Sequence, residues 1–408
     1  MRWWGPLGLL AAVRVAIPVA AYADRGSSLP GLPRFDRARA SGGLSGDATG
    51  FYAATREFIA GWARMPRPLL GLVLIVGLAT IVACVLLWRR RPELRAWLVP
   101  ALLCVLGLLV CLDVHWMEPS GAAVFGWPLV WAVAELPLRA VDALTHAAAW
   151  DVAFVLQLCF VAFTVVAVSY LGRNATGRRW IGVLAAACWA FWPLLVGVVA
   201  GHRAWTNAQW EVDAGLHAYS EPLSTLLVAT GAALLLAPRL TPLRASLAGC
   251  ALSLATLTKL SNALLASAAL AVVFLRRQPW PQYLAGALSL APLVAVYWPL
   301  SYPKLFDNPQ SWPRDPFDPA HVVTTWTHSS MFFPRTLLIV TPLAVLGAFA
   351  LRRPWPLTVV LAFLLINPIF YSFYANTAMH PRFLYASLPF LFVLWAAGVE
   401  TVRRCVAR

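Results

Sequence analysis

The sequence predicts an all-α polytopic membrane protein of about 12 transmembrane helices, with further helices lying along the surface in its outer loops. Three observations carry that reading. Of 408 residues, 60% are hydrophobic and only 12% are charged, with a mean hydropathy of +0.70; a soluble domain is nearer half apolar and a quarter charged. The apolar residues fall into runs close to the ~20 needed to cross a hydrocarbon core. Arginines cluster in alternate connections between those runs.

Taken in order, the predicted spans are 3–23, 69–88, 96–114, 151–171, 180–200, 219–237, 244–258, 260–275, 281–299, 335–351, 356–374 and 383–400. The first carries Arg14 midway and reads as a retained span, not a cleaved signal peptide. The seventh and eighth are short and meet at "TLTKLSNALL", where Lys259, Ser261 and Asn262 cannot face lipid unaided. That pair reads as a hairpin of two short helices. The seven cysteines, at 84, 104, 111, 159, 188, 250 and 405, lie mostly in apolar runs without metal spacing, and read as small embedded hydrophobes. The whole of 1–408 reads as one transmembrane domain.

Orientation follows from charge. The connections "WRRRPELR", "GRNATGRR", "PRLTPLR", "LRRQ" and "LRRP", with the tail "VRRCVAR" and Arg2, hold 17 Lys or Arg against two acids, Glu93 and Glu400. The opposite face holds 14 Lys or Arg against 15 acids, and Arg14 inside a span completes the 32. By the positive-inside rule both termini and the basic loops are expected on the cytoplasmic side. The formal charge of +15 then belongs to a membrane surface. It is no sign of nucleic acid, because no soluble module interleaves its basic residues with stacking aromatics.

Polar chemistry concentrates in the outer loops, 24–68, 115–150, 201–218 and 301–333. A transporter would place polar groups near the midplane, on broken helices in paired halves. An apolar bundle with its chemistry at one surface suits an enzyme acting on lipid-borne substrates. In the first loop, "SGGLSGDATGFYAATREF" sets Asp47 on a glycine hinge before a stripe of Phe51, Ala54, Phe58, Ile59 and Trp62. The stripe predicts an interfacial helix. Asp47 is a candidate base, and the plainer alternative is a helix cap; no Glu or Gln stands three residues on, where Gly50 is.

Several stretches together resemble the GT-C superfamily of membrane glycosyltransferases, which includes protein O-mannosyltransferases, aminoarabinose transferases and mycobacterial arabinofuranosyl- and mannosyltransferases. They are the "GD…Y" of Asp47 and Tyr52, "YSEPLSTLLVATGAALLL" from Tyr219, the hairpin "LAGCALSLATLTKLSNALLASAALAVVFL", and the closing "HPRFLYASLPFLFVLWAAGVE". The likeness spans nearly the whole chain through short motifs. Many members carry paired acids in the first loop, whereas Ala48 follows Asp47, which argues against a metal there. The sequence also ends soon after its last span, without the soluble outer domain of larger members.

The resemblance implies transfer of a sugar from a polyprenyl-phosphate donor to an acceptor hydroxyl of a glycan, lipid or protein. The reaction would take place on the outer face of the cytoplasmic membrane, with no cofactor. Asp47 would be the base. Arg382 would hold the donor phosphate, the plainer alternative being an arginine reaching the headgroups. Lys259 at the hairpin break would contact phosphate or simply reach water. Glu221 would hold sugar hydroxyls or, with Ser220, cap its helix. Tyr52, His380, His202 and Arg203 complete the candidate substrate-binding set. The proline-rich loop 301–333 is a possible lid, and Trp205, Trp312 and Trp326 are possible sugar platforms. A carrier or flippase for a lipid-linked sugar, and an outer-face polysaccharide polymerase or ligase, are the competing readings.

Overall fold

The computed structural model describes residues 4–23, 47–117, 125–140, 146–200, 220–297, 319, 322–323, 333–351, 353–373 and 381–407. Among these, about 90% are helical and none lies in a strand. Six helical segments are long and apolar enough to cross a membrane: Arg67–Arg90, Pro92–Trp116, Asp151–Thr176, Arg179–Val196, Pro354–Ser372 and Leu384–Val406. Several other predicted spans coincide with shorter apolar helices, among them Glu221–Leu235 and Asn262–Leu275. The chain divides into two compact units.

One unit comprises 47–144 and 239–312. Helix α2 (Asp47–Arg64) forms where the apolar stripe predicts a helix, with the stripe turned toward protein: Phe51, Ala54 and Phe58 are buried, Ile59 and Trp62 half-buried, and Arg56 exposed. Its partner α5 (Gly126–Ala140) falls in a stretch expected to be loop. The signal was the spacing of Trp127, Trp131 and Glu135, four residues apart and so on one helical face; all three are fully buried. Thr55 Oγ1, which donates to the Phe51 carbonyl at 2.8 Å, also lies 3.4 Å from the Pro128 carbonyl and ties α2 to α5.

Helix α3 (Arg67–Arg90) presents nearly all of its apolar surface outward, with Gly77 its buried residue, and packs on α4 (Arg95–Cys111). The predicted hairpin forms as α9 (Pro242–Thr258) and α10 (Asn262–Leu275). The expected span over 281–299 is interrupted instead. Helix α11 (Trp280–Ala287) ends in a turn, and helix resumes over 291–297. Pro292 explains the break, since it lacks an N–H and its ring crowds the carbonyl four residues back. Ser289 Oγ donates to the Gly286 carbonyl there at 2.7 Å.

The other unit comprises 1–46, 145–238 and 313–408. It contains α1 (Trp4–Ala23), α6 (His146–Thr176), α7 (Arg179–Ala200), α8 (Glu221–Leu235), α12 (Phe333–Ala350), α13 (Pro354–Ser372) and α14 (Leu388–Val406). A 3-10 turn over Pro381–Ser387 leads into α14, so the closing span does not begin as regular α-helix. Helix α14 is the buried centre, with nearly every residue from Leu388 to Gly398 removed from solvent. Apolar surface gives no net drive between helices in lipid, so close backbone approach at small residues has to supply the packing. Helices α12 and α14 meet through Gly347 and Gly398.

A methyl group on Gly398 would overlap the Leu343 carbonyl and lie 2.7 Å from its carbon, both backbone atoms that cannot swing aside. Gly398→Ala should therefore destabilise the protein by about 1–3 kcal/mol, as overpacking does. The check is its melting temperature in detergent beside that of Ala397→Gly, whose loss should be smaller.

Candidate functional site

The predicted site residues distribute between the two units. In the first, Asp47 is the opening residue of α2, at the positive end of that helix's dipole. Tyr52, just over one turn later, packs on Trp131 at 5.4 Å between ring centroids, and Trp131 stacks on Trp127 at 5.5 Å. Lys259 closes α9 in an extended conformation, its N–H donating to the Ala255 carbonyl at 2.9 Å. Asn262 Nδ2 donates to the same carbonyl at 2.8 Å, which pins the start of α10 to the end of α9.

A Cβ added to Gly126 would stand 2.7 Å from the Thr258 nitrogen, so the first turn of α5 abuts the hairpin break. Pro128, two residues later, is the residue Thr55 approaches. Three stretches distant in sequence thus meet: α2 near Thr55, the start of α5, and the break at Lys259. That is the environment the fold gives to Tyr52 and Lys259.

Sequence reasoning passed over two features of this unit. Asp113, in the 3-10 turn Leu112–Trp116 after α4, has no exposed surface, and neither carboxylate oxygen has a hydrogen-bond partner among the described residues. Its carboxylate rests on Gly61 of α2, where an added Cβ would lie 2.8 Å from Asp113 Cγ. An aromatic group of Phe58, Phe125 and Tyr297 packs nearby, and Tyr297 donates to the Val110 carbonyl at 3.2 Å. Fourteen residues separate Asp47 from Gly61, about 21 Å along a helix, so the two acids stand at opposite ends of α2. The second feature is a groove of about 340 Å³ lined by Arg56, Glu57, Arg64 and Arg139 with Ile59, Ala60 and Ala63. Arg139 donates there to the buried Glu135 at 2.9 Å.

In the second unit Glu221 is the first residue of α8 and is buried; Ser220 Oγ donates to its Oε2 at 3.3 Å. Ser220 therefore makes no capping bond to the helix backbone. Helix α8 packs against the 3-10 turn Pro381–Ser387, so Glu221 and Arg382 belong to neighbouring elements. The same turn carries Tyr385, whose hydroxyl accepts from Arg14 Nη2 at 2.9 Å. The Arg14 guanidinium lies 5.2 Å over the Trp189 ring, and the residue is 4% exposed. An arginine within an apolar helix must turn inward and be solvated by protein; the aromatic pair does this for part of the guanidinium, and Nε has no hydrogen-bond partner among the described residues. Sequence reading placed Arg14 in a span but had no means of naming Tyr385 and Trp189 as its partners.

The side chains of Asp47 and Arg382 lie outside the described part of the structure, as do His202, Arg203 and His380 entirely. Trp205, Trp312, Trp326 and nearly all of 301–333 fall outside it too. Among the described residues no group of three or more His, Cys, Asp or Glu is arranged to hold a metal ion.

Two substitutions test these polar positions. Asp113→Asn keeps the shape and removes a buried charge, so stability should rise by on the order of 1 kcal/mol; a fall in melting temperature would identify an unseen cationic partner. Tyr385→Phe deprives a buried guanidinium of its acceptor and should cost about 1–3 kcal/mol, read by denaturation in detergent. No known protein family, curated protein or solved structure matches the chain.

Proposed function

We propose that the chain is an inverting glycosyltransferase of the GT-C kind, crossing the cytoplasmic membrane about twelve times with its basic loops inside. It moves a sugar from a polyprenyl-phosphate donor to an acceptor hydroxyl at the outer face. The observation that most supports this reading is the setting of Asp47. The acid opens an 18-residue helix whose apolar stripe is buried against α5, which holds that end of the helix in place.

An alcohol is a poor nucleophile until its proton leaves as the new bond forms. A carboxylate within hydrogen-bond reach takes that proton. The acceptor oxygen attacks the anomeric carbon, the bond from that carbon to the phosphate oxygen breaks, and polyprenyl phosphate departs with the electron pair. One displacement inverts the carbon. Negative charge grows on the departing phosphate, where a cation stabilises it.

Arg382 is assigned to that phosphate because its planar fork suits the oxygens. Lys259 is a second cation for the donor. Glu221 and Tyr52 are assigned to sugar hydroxyls, with His202, Arg203 and His380 beside them. These roles rest on the sequence.

The test is purified protein given a polyprenyl-phosphate sugar and an acceptor. A new glycosidic product supports transfer; redistribution of donor across vesicles without product indicates a carrier, and joining of whole glycan chains a ligase. Asp47→Asn should retain fold and donor binding yet lose about a hundred- to ten-thousand-fold in rate, roughly 3–5 kcal/mol. A variant within tenfold of wild type would make Asp47 only a cap, because asparagine caps as well. Arg382→Ala should raise the donor requirement more than the acceptor requirement, and unchanged donor kinetics would remove that assignment.

A further inference from the structure

The second unit has a cavity of about 610 Å³ that no part of the proposed reaction uses. It forms where α6 ends, α7 begins, and α12 and α14 reach their C-terminal ends. Its charged lining is Arg178, Arg353, Arg404 and Glu400, and its apolar lining includes Leu346 and Phe349.

The charges are organised by one acid. Glu400 is buried and accepts from Arg404 Nε at 2.7 Å, from Arg403 Nε at 2.8 Å, and from Arg178 Nη1. It thereby fixes two of the three lining arginines at the cavity wall. Arg353 is exposed and joins no ion pair among the described residues. Three cations against one carboxylate leave two positive charges facing the cavity. Phe349, 82% exposed, forms part of the same wall at the end of an apolar helix. Basic side chains set over an apolar wall at the ends of spans match the boundary between lipid headgroups and acyl chains.

We infer that this cavity binds one anionic phospholipid. Its phosphodiester meets the Arg178, Arg353 and Arg404 guanidinium groups, and an acyl chain lies along Leu346 and Phe349. Arginine forks suit phosphate oxygens, and their hydrogen bonds are charge-assisted. A zwitterionic headgroup brings its own ammonium toward the same cations and binds less well. A free phosphate ion leaves the apolar wall uncovered. The inference does not depend on the chain being a transferase.

The test uses the full chain in nanodiscs of equimolar phosphatidylcholine and phosphatidylglycerol, released and weighed by native mass spectrometry. The wild type should keep phosphatidylglycerol in preference to phosphatidylcholine. Arg353→Gln, a change at an exposed position, should lower that retention about fivefold, the worth of one arginine at an anionic lipid surface. Phe349→Asp should lower it as well, by repelling the acyl chain and phosphate. Equal retention of the two lipids, wild-type retention by Arg353→Gln, or displacement of the lipid by millimolar inorganic phosphate would each overturn the inference.

Discussion

Six helices among the described residues are long and apolar enough to cross a membrane, and the interior of a bilayer would supply them no hydrogen bonds, a constraint on which the rest of this structure depends. Every backbone amide in a span must find its partner within its own helix, which leaves the chain no alternative to helices over its apolar runs. The same constraint acts on side chains. A polar group in the hydrocarbon must turn toward protein, and it must find there what water would have supplied. The few polar residues inside this protein are therefore its most informative ones. They fall into two kinds, those the fold satisfies and those it leaves short.

Glu400 is of the satisfied kind, and Arg14 is satisfied only in part, since its Nε has no hydrogen-bond partner among the described residues. Arg14 gives up water for the Tyr385 hydroxyl and the face of Trp189. Glu400 collects three arginines, two from its own helix one turn on and a third, Arg178, from the start of the segment leading into α7. Both interactions link α14, or the turn before it, to other helices of its unit. Helix α14 is thus held along its length by glycine contact and near its two ends by polar contacts. Asp113 is of the other kind. Its carboxylate sits under α2 with no partner among the described residues, and the space it fills exists because residue 61 is glycine. A group kept at such a cost has been placed for chemistry or binding more often than for stability.

The arrangement of helices was largely legible in the sequence because the constraint that produces it is local. Hydropathy marked α3 and α13 to within two residues of their ends and α6 to within five, and the 3.6-residue stripe from Phe51 to Trp62 marked α2 and its buried face. Lys259, Ser261 and Asn262 marked the hairpin break correctly. What failed was set by single residues or by distant partners. Pro292 divided an apparently continuous span, and α5 was passed over because its stripe is shorter than a crossing. The roles of Arg14 and Asp113 depend on Tyr385 and Gly61, which lie 371 and 52 residues away in the chain. No local pattern encodes such pairings.

Arg14 and Glu221 stand on helices that meet one short turn of the same unit. The turn Pro381–Ser387 was singled out for Arg382 and its motif, yet its Tyr385 is also the group that solvates a buried guanidinium, and α8 with the buried Glu221 packs on the same turn. A short 3-10 segment thereby meets two helices that each bring a buried charged residue. Charges held in protein rather than water act through a lower dielectric, so each influences its surroundings more strongly than an exposed charge would. A turn so placed is poorly suited to be mere connection. Its rigidity follows from the same contacts, because Tyr385 cannot move without stranding Arg14. Moving the turn would therefore cost the buried guanidinium its acceptor and disturb the packing of α8 as well.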